Sequence, residues 1–261
     1  MTEQDLRVLV REKYAAVAEG GSCGCGCCAA EAGEDTALAA LGYTEEQRAA
    51  IPEGADLGLG CGNPLAHAGL SPGETVLDLG SGAGIDCFLA AREVGPSGRV
   101  IGVDMTPAML ERARANRAKA SAANVEFRLG EIEHLPVADS SVDAIISNCV
   151  VNLSPEKPQV FREALRVLKP GGRLVVSDLV LTRALDPETR RNVDLVVGCV
   201  AGASLKDEYL ELIRAAGFAE VRIVEERGYA VGLETLPEGS AEREAFTAVT
   251  SVKVRAVKAS A

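Results

Sequence analysis

Cysteine is the residue type whose placement in this chain first points to chemistry. Four of the eight cysteines crowd into a glycine-rich stretch at residues 23–28, and the other four are dispersed. In a reducing compartment, thiols are more often metal ligands, catalytic groups or redox groups than structural disulfides. The full set is Cys23, Cys25, Cys27, Cys28, Cys61, Cys87, Cys149 and Cys199.

A second group of candidate residues surrounds a glycine-rich loop. The apolar segment 75–80 predicts a short buried strand, which runs into Gly80, Gly82 and Gly84 at a spacing that allows a tight turn and a close ligand. This G-x-G-x-G spacing differs from the G-x-G-x-x-G of dinucleotide sites. Asp78 precedes the glycines, and Asp104 ends the next predicted strand, where an acidic residue can hydrogen-bond ribose. Together these residues favour S-adenosylmethionine (SAM), whose ammonium suits nearby carboxylates. The alternative for the pocket is another nucleotide, and the alternative for Asp78 is a carboxylate that only braces the loop.

These residues must be positioned by strands that alternate with helices, a pattern that predicts an α/β, doubly wound sheet with helices on both faces. Strands are predicted at 75–80, 99–105, 125–131, 142–150, 172–180, 219–226 and 247–258. Helices are predicted at 3–18, 44–50, 84–93, 107–122, 155–168 and 205–217. We divide the chain into an N-terminal helical, cysteine-rich and substrate-binding extension (1–70) and a SAM-binding domain (71–261). Residues 182–204 are long for a plain connection and are expected to cover the site.

Three of the dispersed cysteines are candidates for one shared site. Cys61 lies in a glycine-rich turn before the sheet, Cys149 ends the fourth strand at the edge where open α/β sheets bind ligands, and Cys199 lies in the 182–204 segment. Soft thiolates select thiophilic ions. Trivalent arsenic takes three sulfurs and keeps a lone pair that can attack a methyl sulfonium. Cys87, on the helix after the glycine loop, is expected to be a small core residue.

Residues 75–180 resemble a class I SAM-dependent methyltransferase. The resemblance is carried by VDMTPAMLERA, GEIEHLPVADSSVDAIISN and LKPGGRLVVSD. It implies a seven-stranded Rossmann-like sheet whose last strand is antiparallel. It also implies that the methionine and ribose pocket is lined by Gly80, Gly82, Asp104 and Met105. Ile132 and Glu133 would lie at adenine, and Asn148 beside the transferred methyl group.

Nearly the whole chain resembles the arsenite methyltransferases. The matching segments are GLGCGNP (58–64), SNCVVNLSPEK (147–157) and VGCVAGA (197–203). The resemblance implies that Cys61, Cys149 and Cys199 bind arsenite delivered as a thiol conjugate, and that glutathione or thioredoxin restores the thiols after oxidation. Val151 stands where many members have a second cysteine, and Leu59 where some have an aromatic residue. These departures leave open how many methyl groups are added.

The cysteine-rich loop and two other residue types have competing interpretations. The thiols at 23–28 lie too close together for a paired C-x₂-C zinc site. We favour a loop that hands over arsenite or whose Cys27 or Cys28 resolves a disulfide with Cys61, with metal binding as the alternative. His67 and His134 are expected to be surface or packing residues rather than ligands. Tyr14 is expected to pack its helix rather than contact the cofactor.

Composition and charge exclude several classes of function. The net charge is −11 and only 3% of residues are aromatic, so no nucleic-acid partner is expected. No window approaches about 18 consecutive apolar residues, and no secretory signal precedes the first helix, so we expect a cytoplasmic protein without a membrane partner. We also expect a monomer. The remaining alternatives are an arsenic- or metal-sequestering protein and a quinone-pathway type of C- or O-methyltransferase, which would explain neither Cys61 nor Cys199.

Overall fold

The computed structural model describes residues 3–20, 38–192, 195–196, 198–229 and 238–260. A seven-stranded sheet runs through this part of the chain in the order β3-β2-β1-β4-β5-β7-β6. Its strands are β1 (Thr75–Leu79), β2 (Arg99–Asp104), β3 (Val125–Leu129), β4 (Val142–Asn148), β5 (Leu168–Leu181), β6 (Ala219–Gly228) and β7 (Val249–Val257). The first five are parallel, and β7 is antiparallel to both β5 and β6. The predicted doubly wound sheet with an antiparallel last strand is therefore confirmed.

Helices cover both faces of the sheet. They are α1 (Glu3–Ala18), α2 (Glu45–Ala50), α3 (Leu65–Ala68), α4 (Ile85–Val94), α5 (Pro107–Ala120), α6 (Lys157–Val167), α7 (Lys206–Ala215) and α8 (Ala241–Thr247), with 3-10 turns at Val151–Leu153 and Thr189–Arg191. Buried side chains of α6 and α7 form one apolar core with the sheet, and those of α3, α4 and α5 form the other. The strands β1, β2 and β4 are buried along most of their length and are mostly apolar, as expected of parallel strands covered on both faces, whereas the edge strand β3 is only partly buried.

A third apolar cluster closes the end of the sheet where the parallel strands finish. It joins Val10 of α1 and Phe246 of α8 to Leu185 and Val200 of the 182–204 segment. Several described residues of this segment, Cys199 among them, thus belong to the same cluster as Cys61. The domain boundary at residue 70 stays a prediction.

Local capping explains where α2 begins. The Thr44 side chain accepts a hydrogen bond from the Gln47 backbone N–H at 3.2 Å, and the Gln47 side chain accepts one from the Thr44 N–H at 3.0 Å. This reciprocal pair satisfies two N–H groups that the helix cannot pair internally. The predicted Thr44 cap is confirmed.

The observed elements differ from the prediction at β5 and at two short helices. β5 begins at Leu168 rather than residue 172, because Leu168 is buried and pairs with Val142 across an irregularity in the β4–β5 register. A Cβ on Gly172 would lie 2.8 Å from the Lys169 carbonyl oxygen, so glycine is required for this close backbone approach. The helices α3 and α8 were not predicted: α3 falls in a glycine-rich stretch that predicts a turn, and α8 ends at Thr247, where the predicted strand 247–258 begins. The signal for α8 was the Ser240 cap, whose side chain accepts from the Arg243 N–H.

No helix among the described residues is long and apolar enough to span a membrane.

Candidate active site

A cavity of about 1260 Å³, including its open mouth, lies at the carboxyl ends of β1, β2 and β4. This is the edge at which open α/β sheets bind ligands. Almost all of the residues predicted to contact the cofactor line it, namely Asp78, Gly80, Gly82, Asp104, Met105, Ile132, Glu133 and Asn148. Gly84 is outside the lining. It caps the start of α4 with φ 100°, and a Cβ there would lie 2.8 Å from the Phe88 ring. The left-handed backbone and the lack of space therefore explain why this residue is a glycine.

The glycine loop is held against the end of β2. Asp104 accepts hydrogen bonds from the Gly82 N–H at 2.9 Å and from the Thr106 N–H at 2.8 Å. A Cβ on Gly80, which has φ 68°, would lie 2.4 Å from the Val150 side chain. The loop therefore needs glycine where β1 ends. Asp104 both fixes the loop and faces the cavity.

Three of the carboxyl groups that line the cavity, those of Asp78, Asp86 and Asp104, form no salt bridge with a basic side chain in the described part of the chain. Burial raises the pKa of Asp78, and repulsion from Asp86 and Asp104 raises it further. Burial raises the pKa of Asp86 to about 6, although Tyr43 and Asn148 donate hydrogen bonds to it, and burial also raises the pKa of Asp104. A ligand that carries positive charge would be stabilised here.

The remaining polar groups of the lining also fit a polar ligand. Arg7 lines the cavity, but its guanidinium pairs with Glu156 at 2.7 Å and with Glu133 at 3.4 Å. The buried Ser81 hydroxyl has no hydrogen-bond partner in the described chain, which is uncommon unless a ligand or water supplies one. SAM, with its sulfonium and ammonium groups, matches these features. We call Asp78, Gly80, Gly82 and Asp104 the cofactor side of the site.

Cys61 is fixed by the loop that carries it. Its N–H donates to the Asn148 side-chain oxygen at 3.0 Å, and its thiol donates to the Ser177 carbonyl oxygen at 3.4 Å. Ser251 donates to the Cys61 carbonyl oxygen at 2.8 Å. A Cβ on Gly62 would lie 2.3 Å from the Ser177 hydroxyl, so the loop lies tightly on β5.

Cys149 and Cys199 both have left-handed backbone conformations, with φ values of 57° and 62°. Such a conformation costs a non-glycine residue roughly 1–2 kcal/mol and is held by its surroundings. The Cys149 N–H donates to the Ser177 carbonyl oxygen at 2.8 Å, and the Cys199 thiol donates to the Cys149 carbonyl oxygen at 3.0 Å. The surrounding chain thus holds both thiols at the cavity, which they line.

The three predicted thiols come together in the structure. The sulfur atoms of Cys61 and Cys149 lie within 4.8 Å of each other, and interaction with the Cys199 and Cys61 thiols, followed by burial, raises the pKa of Cys149 well above its usual value. Burial raises the pKa of Cys61 as well. All the described cysteines are free thiols. Cys27 and Cys28, the predicted resolving pair, lie outside the described residues.

Asp178 was missed by sequence reasoning. One of its carboxylate oxygens lies within 4.8 Å of the sulfur atoms of Cys61 and Cys149, and the residue is only 1% exposed. Burial raises its pKa to about 7, against hydrogen bonds donated by Tyr209 at 3.0 Å and Asn152 at 2.8 Å. An acidic residue inside an apolar, fully buried strand was the available signal. We call Cys61, Cys149, Asp178 and Cys199 the thiol side of the site.

Asn148 connects the two sides. Its amide nitrogen lies 2.7 Å from the Gly62 carbonyl oxygen, 3.1 Å from an Asp86 oxygen and 3.1 Å from the Tyr43 hydroxyl. Tyr43 in turn donates to Asp86 at 2.8 Å. The same amide therefore contacts both the Cys61 loop and the wall of the cavity. Tyr43 and Asp86 were not singled out from the sequence, because nothing local links them to Asn148.

The other predicted residues occupy simpler positions. Cys87 is fully buried in an apolar core, as expected, and its thiol also donates to Asp78 at 3.2 Å. Tyr14 packs between two apolar clusters and lines the cavity as well. His67 pairs with Glu225 at 2.8 Å, and His134 is exposed.

The two family departures also have distinct surroundings. Leu59 lines the cavity, where it packs against Met109. Val151 instead is buried in the main core and is absent from the lining.

Comparison with known proteins identifies relatives of this fold and site. A family model described as "Methyltransferase domain" matches residues 70–217. An arsenite methyltransferase of Halobacterium salinarum is 54% identical over 231 residues, which cover 84% of this chain and 59% of that protein. A demethylmenaquinone methyltransferase of Lactococcus lactis is 33% identical over 179 residues, covering 61% and 71%.

A solved structure is similar along most of the chain. It is an arsenic(III) S-adenosylmethionine methyltransferase from Chlamydomonas reinhardtii, with 36% identity and a TM-score of 0.65 over 85% of this chain and 73% of that one. The chain spans between two fifths and three fifths of the length of the arsenite methyltransferases with 54%, 43% and 40% identity.

Proposed function

The chain belongs to the arsenite methyltransferase family of methyltransferase-domain proteins, and we propose that it transfers a methyl group from SAM to trivalent arsenic held by Cys61, Cys149 and Cys199. The observation that carries this proposal is the meeting of three thiols beside a cavity lined by the carboxyl groups of Asp78, Asp86 and Asp104. A quinone-type substrate would need no thiol, and a sequestering protein would need no carboxyl-lined cavity.

The cofactor side of the site would hold SAM. When bound, SAM supplies an electrophilic methyl group on a positively charged sulfur. The carboxyl groups of Asp78 and Asp104 offset its positive charges, and the glycine loop lets it approach the backbone. At the far part of the lining, Ile132 offers an apolar wall beside Glu133, whose carboxylate accepts from Ser154 at 2.5 Å.

The thiol side would hold arsenic by ligand exchange. Each cysteine sulfur forms one bond to arsenic as one bond to a small thiol breaks, and the cysteine proton goes to the departing thiolate. Because the pKa values of Cys61 and Cys149 are raised, these groups enter the exchange as neutral thiols. Three sulfur ligands leave the arsenic lone pair free to act as the nucleophile.

Methyl transfer oxidises arsenic by two electrons, so multiple turnovers require a reductant. We propose that two thiolates supply the electrons and become a disulfide between Cys61 and Cys27 or Cys28. A glutathione- or thioredoxin-type thiol then reduces that disulfide. Replacing Cys23, Cys25, Cys27 and Cys28 together by serine should slow repeated turnover sharply while the first methyl transfer and SAM binding persist. Repeated turnover at the wild-type rate would show that the cysteine-rich loop takes no part in the reaction.

The direct test is to incubate the protein with SAM, arsenite and a thiol, and to separate the arsenic species by chromatography. Methylated arsenic and S-adenosylhomocysteine should appear together. Cys87→Ser is the matched control, since it removes a buried thiol outside the proposed arsenic site and the serine hydroxyl can still donate to Asp78. Tight arsenite binding with no SAM turnover would instead support sequestration, and turnover only with a carbon or oxygen acceptor would support the quinone-type alternative.

A further inference from the structure

The arsenic chemistry proposed above leaves Asp178 unused. Trivalent arsenic takes three sulfurs, which Cys61, Cys149 and Cys199 already supply. Yet an Asp178 oxygen and the sulfurs of Cys61 and Cys149 all lie within 4.8 Å of one another. Two thiols and a carboxylate thus form a second triad of possible ligands. It shares Cys61 and Cys149 with the first triad, which is the three thiols proposed to hold arsenic.

The surroundings of Asp178 resemble those of a metal-binding carboxylate. Asn152 donates to one carboxylate oxygen at 2.8 Å and Tyr209 to the other at 3.0 Å, so the carboxylate cannot rotate freely. Protein metal ligands are usually oriented by such outer hydrogen bonds. The Ser177 carbonyl oxygen likewise fixes the Cys61 thiol.

The charge balance at this triad favours a dication. Asp178 is almost fully buried, and the basic group that acts on it electrostatically is Lys157, whose own pKa is lowered by burial. The Lys157 ammonium lies 3.4 Å from the Ser154 carbonyl oxygen. A divalent cation would offset the desolvation of the carboxylate and of two thiolates at once.

We propose that Cys61, Cys149 and Asp178 form a site for a divalent thiophilic cation of the Zn²⁺ class, overlapping the arsenite site. Zn²⁺ prefers four ligands drawn from sulfur, nitrogen and oxygen, and the Cys199 thiol or a water would complete the set. On binding, Zn²⁺ loses water ligands, and the two thiols release their protons to solvent. Zn²⁺ and arsenite then exclude each other, since they share two thiols. The competition rests on the proposed function, whereas Zn²⁺ binding alone does not.

The test measures both affinities in one full-length background. That chain carries C23S, C25S, C27S and C28S, so that the cysteine-rich loop contributes no ligands. Zn²⁺ affinity is measured by competition with a coloured chelator, and arsenite affinity by displacement of Zn²⁺ and by direct titration. We expect one Zn²⁺ per chain, released by stoichiometric arsenite, and no change in either affinity for the control Cys87→Ser.

Substitution at Asp178 separates the two triads. Asp178→Asn should weaken Zn²⁺ binding by at least about tenfold more than it weakens arsenite binding, because only the cation uses the carboxylate. Tyr209→Phe keeps the ring in the core and removes one orienting hydrogen bond, so it should weaken Zn²⁺ binding in the same direction by less. Cys149→Ser should weaken both.

Two results would overturn the proposal. One is the absence of Zn²⁺ binding in the loop-substituted chain, and the other is an equal effect of Asp178→Asn and Tyr209→Phe on the two affinities. Neither result would touch the proposed function, which is read from arsenic methylation in the absence of Zn²⁺. Conversely, Zn²⁺ binding without any methylation would refute the proposed function and leave the cation site standing.

Discussion

The cofactor side and the thiol side of the site meet at Asn148, but the chain builds them differently. The cofactor side comes from one short stretch, in which β1, the glycine loop, α4 and β2 follow each other directly. The thiol side takes its members from a loop before the sheet, from the ends of β4 and β5, and from the 182–204 segment. One side is therefore assembled by neighbours in sequence and the other by neighbours in space.

The backbone reflects the same difference. On the cofactor side, left-handed conformations fall on glycines such as Gly80 and Gly82, which adopt them without strain. On the thiol side they fall on Cys149 and Cys199, which must be held there by contacts from distant segments. We infer that substitutions elsewhere in the chain disturb the geometry of the cofactor side less than they disturb that of the thiol side.

The largest effect should come from removing a central thiol. Cys149→Ser takes away the sulfur that lies between the other two cysteines, so arsenite methylation should fall below detection, or by more than about a thousandfold. SAM affinity, measured by calorimetry, should stay within about twofold because the cofactor side is built separately. Cys61→Ser should also abolish methylation of arsenite, but can retain it on a monomethylated substrate that needs only two sulfurs. Full activity of Cys149→Ser on either substrate would refute the thiol side.

The next effect is a pH dependence set by Asp178. Its folded-state pKa is about 7 against an ordinary value of 3.8, so the folded state favours the protonated form. Folding stability from this group is therefore fully present below pH 3.8 and is lost as the pH rises to about 7, by as much as roughly 4 kcal/mol. Asp178→Asn removes this titration. The free energy of unfolding by urea, measured from about pH 3.8 to about pH 7, should depend less on pH in the variant than in the wild type. Identical pH profiles would contradict the raised pKa of Asp178.

A smaller effect is expected on the cofactor side. Asp104→Ala removes the carboxylate that faces the cavity and fixes the Gly82 N–H, which should weaken SAM binding by ~1–3 kcal/mol. Arsenite binding should persist because its ligands come from other segments. Titration of the variant with SAM and with arsenite checks both statements. A loss of arsenite affinity as large as that of SAM would show that the two sides are not independent.

The smallest effect tests the connection between the sides. Tyr43→Phe removes a hydroxyl that donates to Asp86 at 2.8 Å and lies 3.1 Å from the Asn148 amide, a loss of ~0.5–1.5 kcal/mol. Because Asn148 holds the Cys61 loop as well as facing the cavity, KM values for SAM and for arsenite should both rise a few-fold. A change confined to SAM would mean that Asn148 does not couple the two sides.

Much of the fold could be predicted from local patterns. Alternating strands and helices, the Thr44 cap and the glycine loop are all encoded within a few residues, since hydrogen-bonding and periodicity act over that range. The start of β5 could not be predicted, because Leu168 pairs with Val142 across the sheet. Gly84, which remains a predicted cofactor residue, is outside the cavity lining, and a Cβ on it would meet the rings of Phe88 and Phe127.

The candidate site shows the same distinction between what local sequence predicts and what the folded chain decides. The residue types at Cys61, Cys149 and Cys199, in segments that resemble a known family, were enough to expect a thiol site for arsenic. Only the folded chain brings Asp178 to within 4.8 Å of two of those sulfurs, and joins Tyr43 and Asp86 to Asn148. The order of the strands in the sheet sets which side chains become neighbours, and that order arises from packing across the whole chain rather than from any short pattern in it.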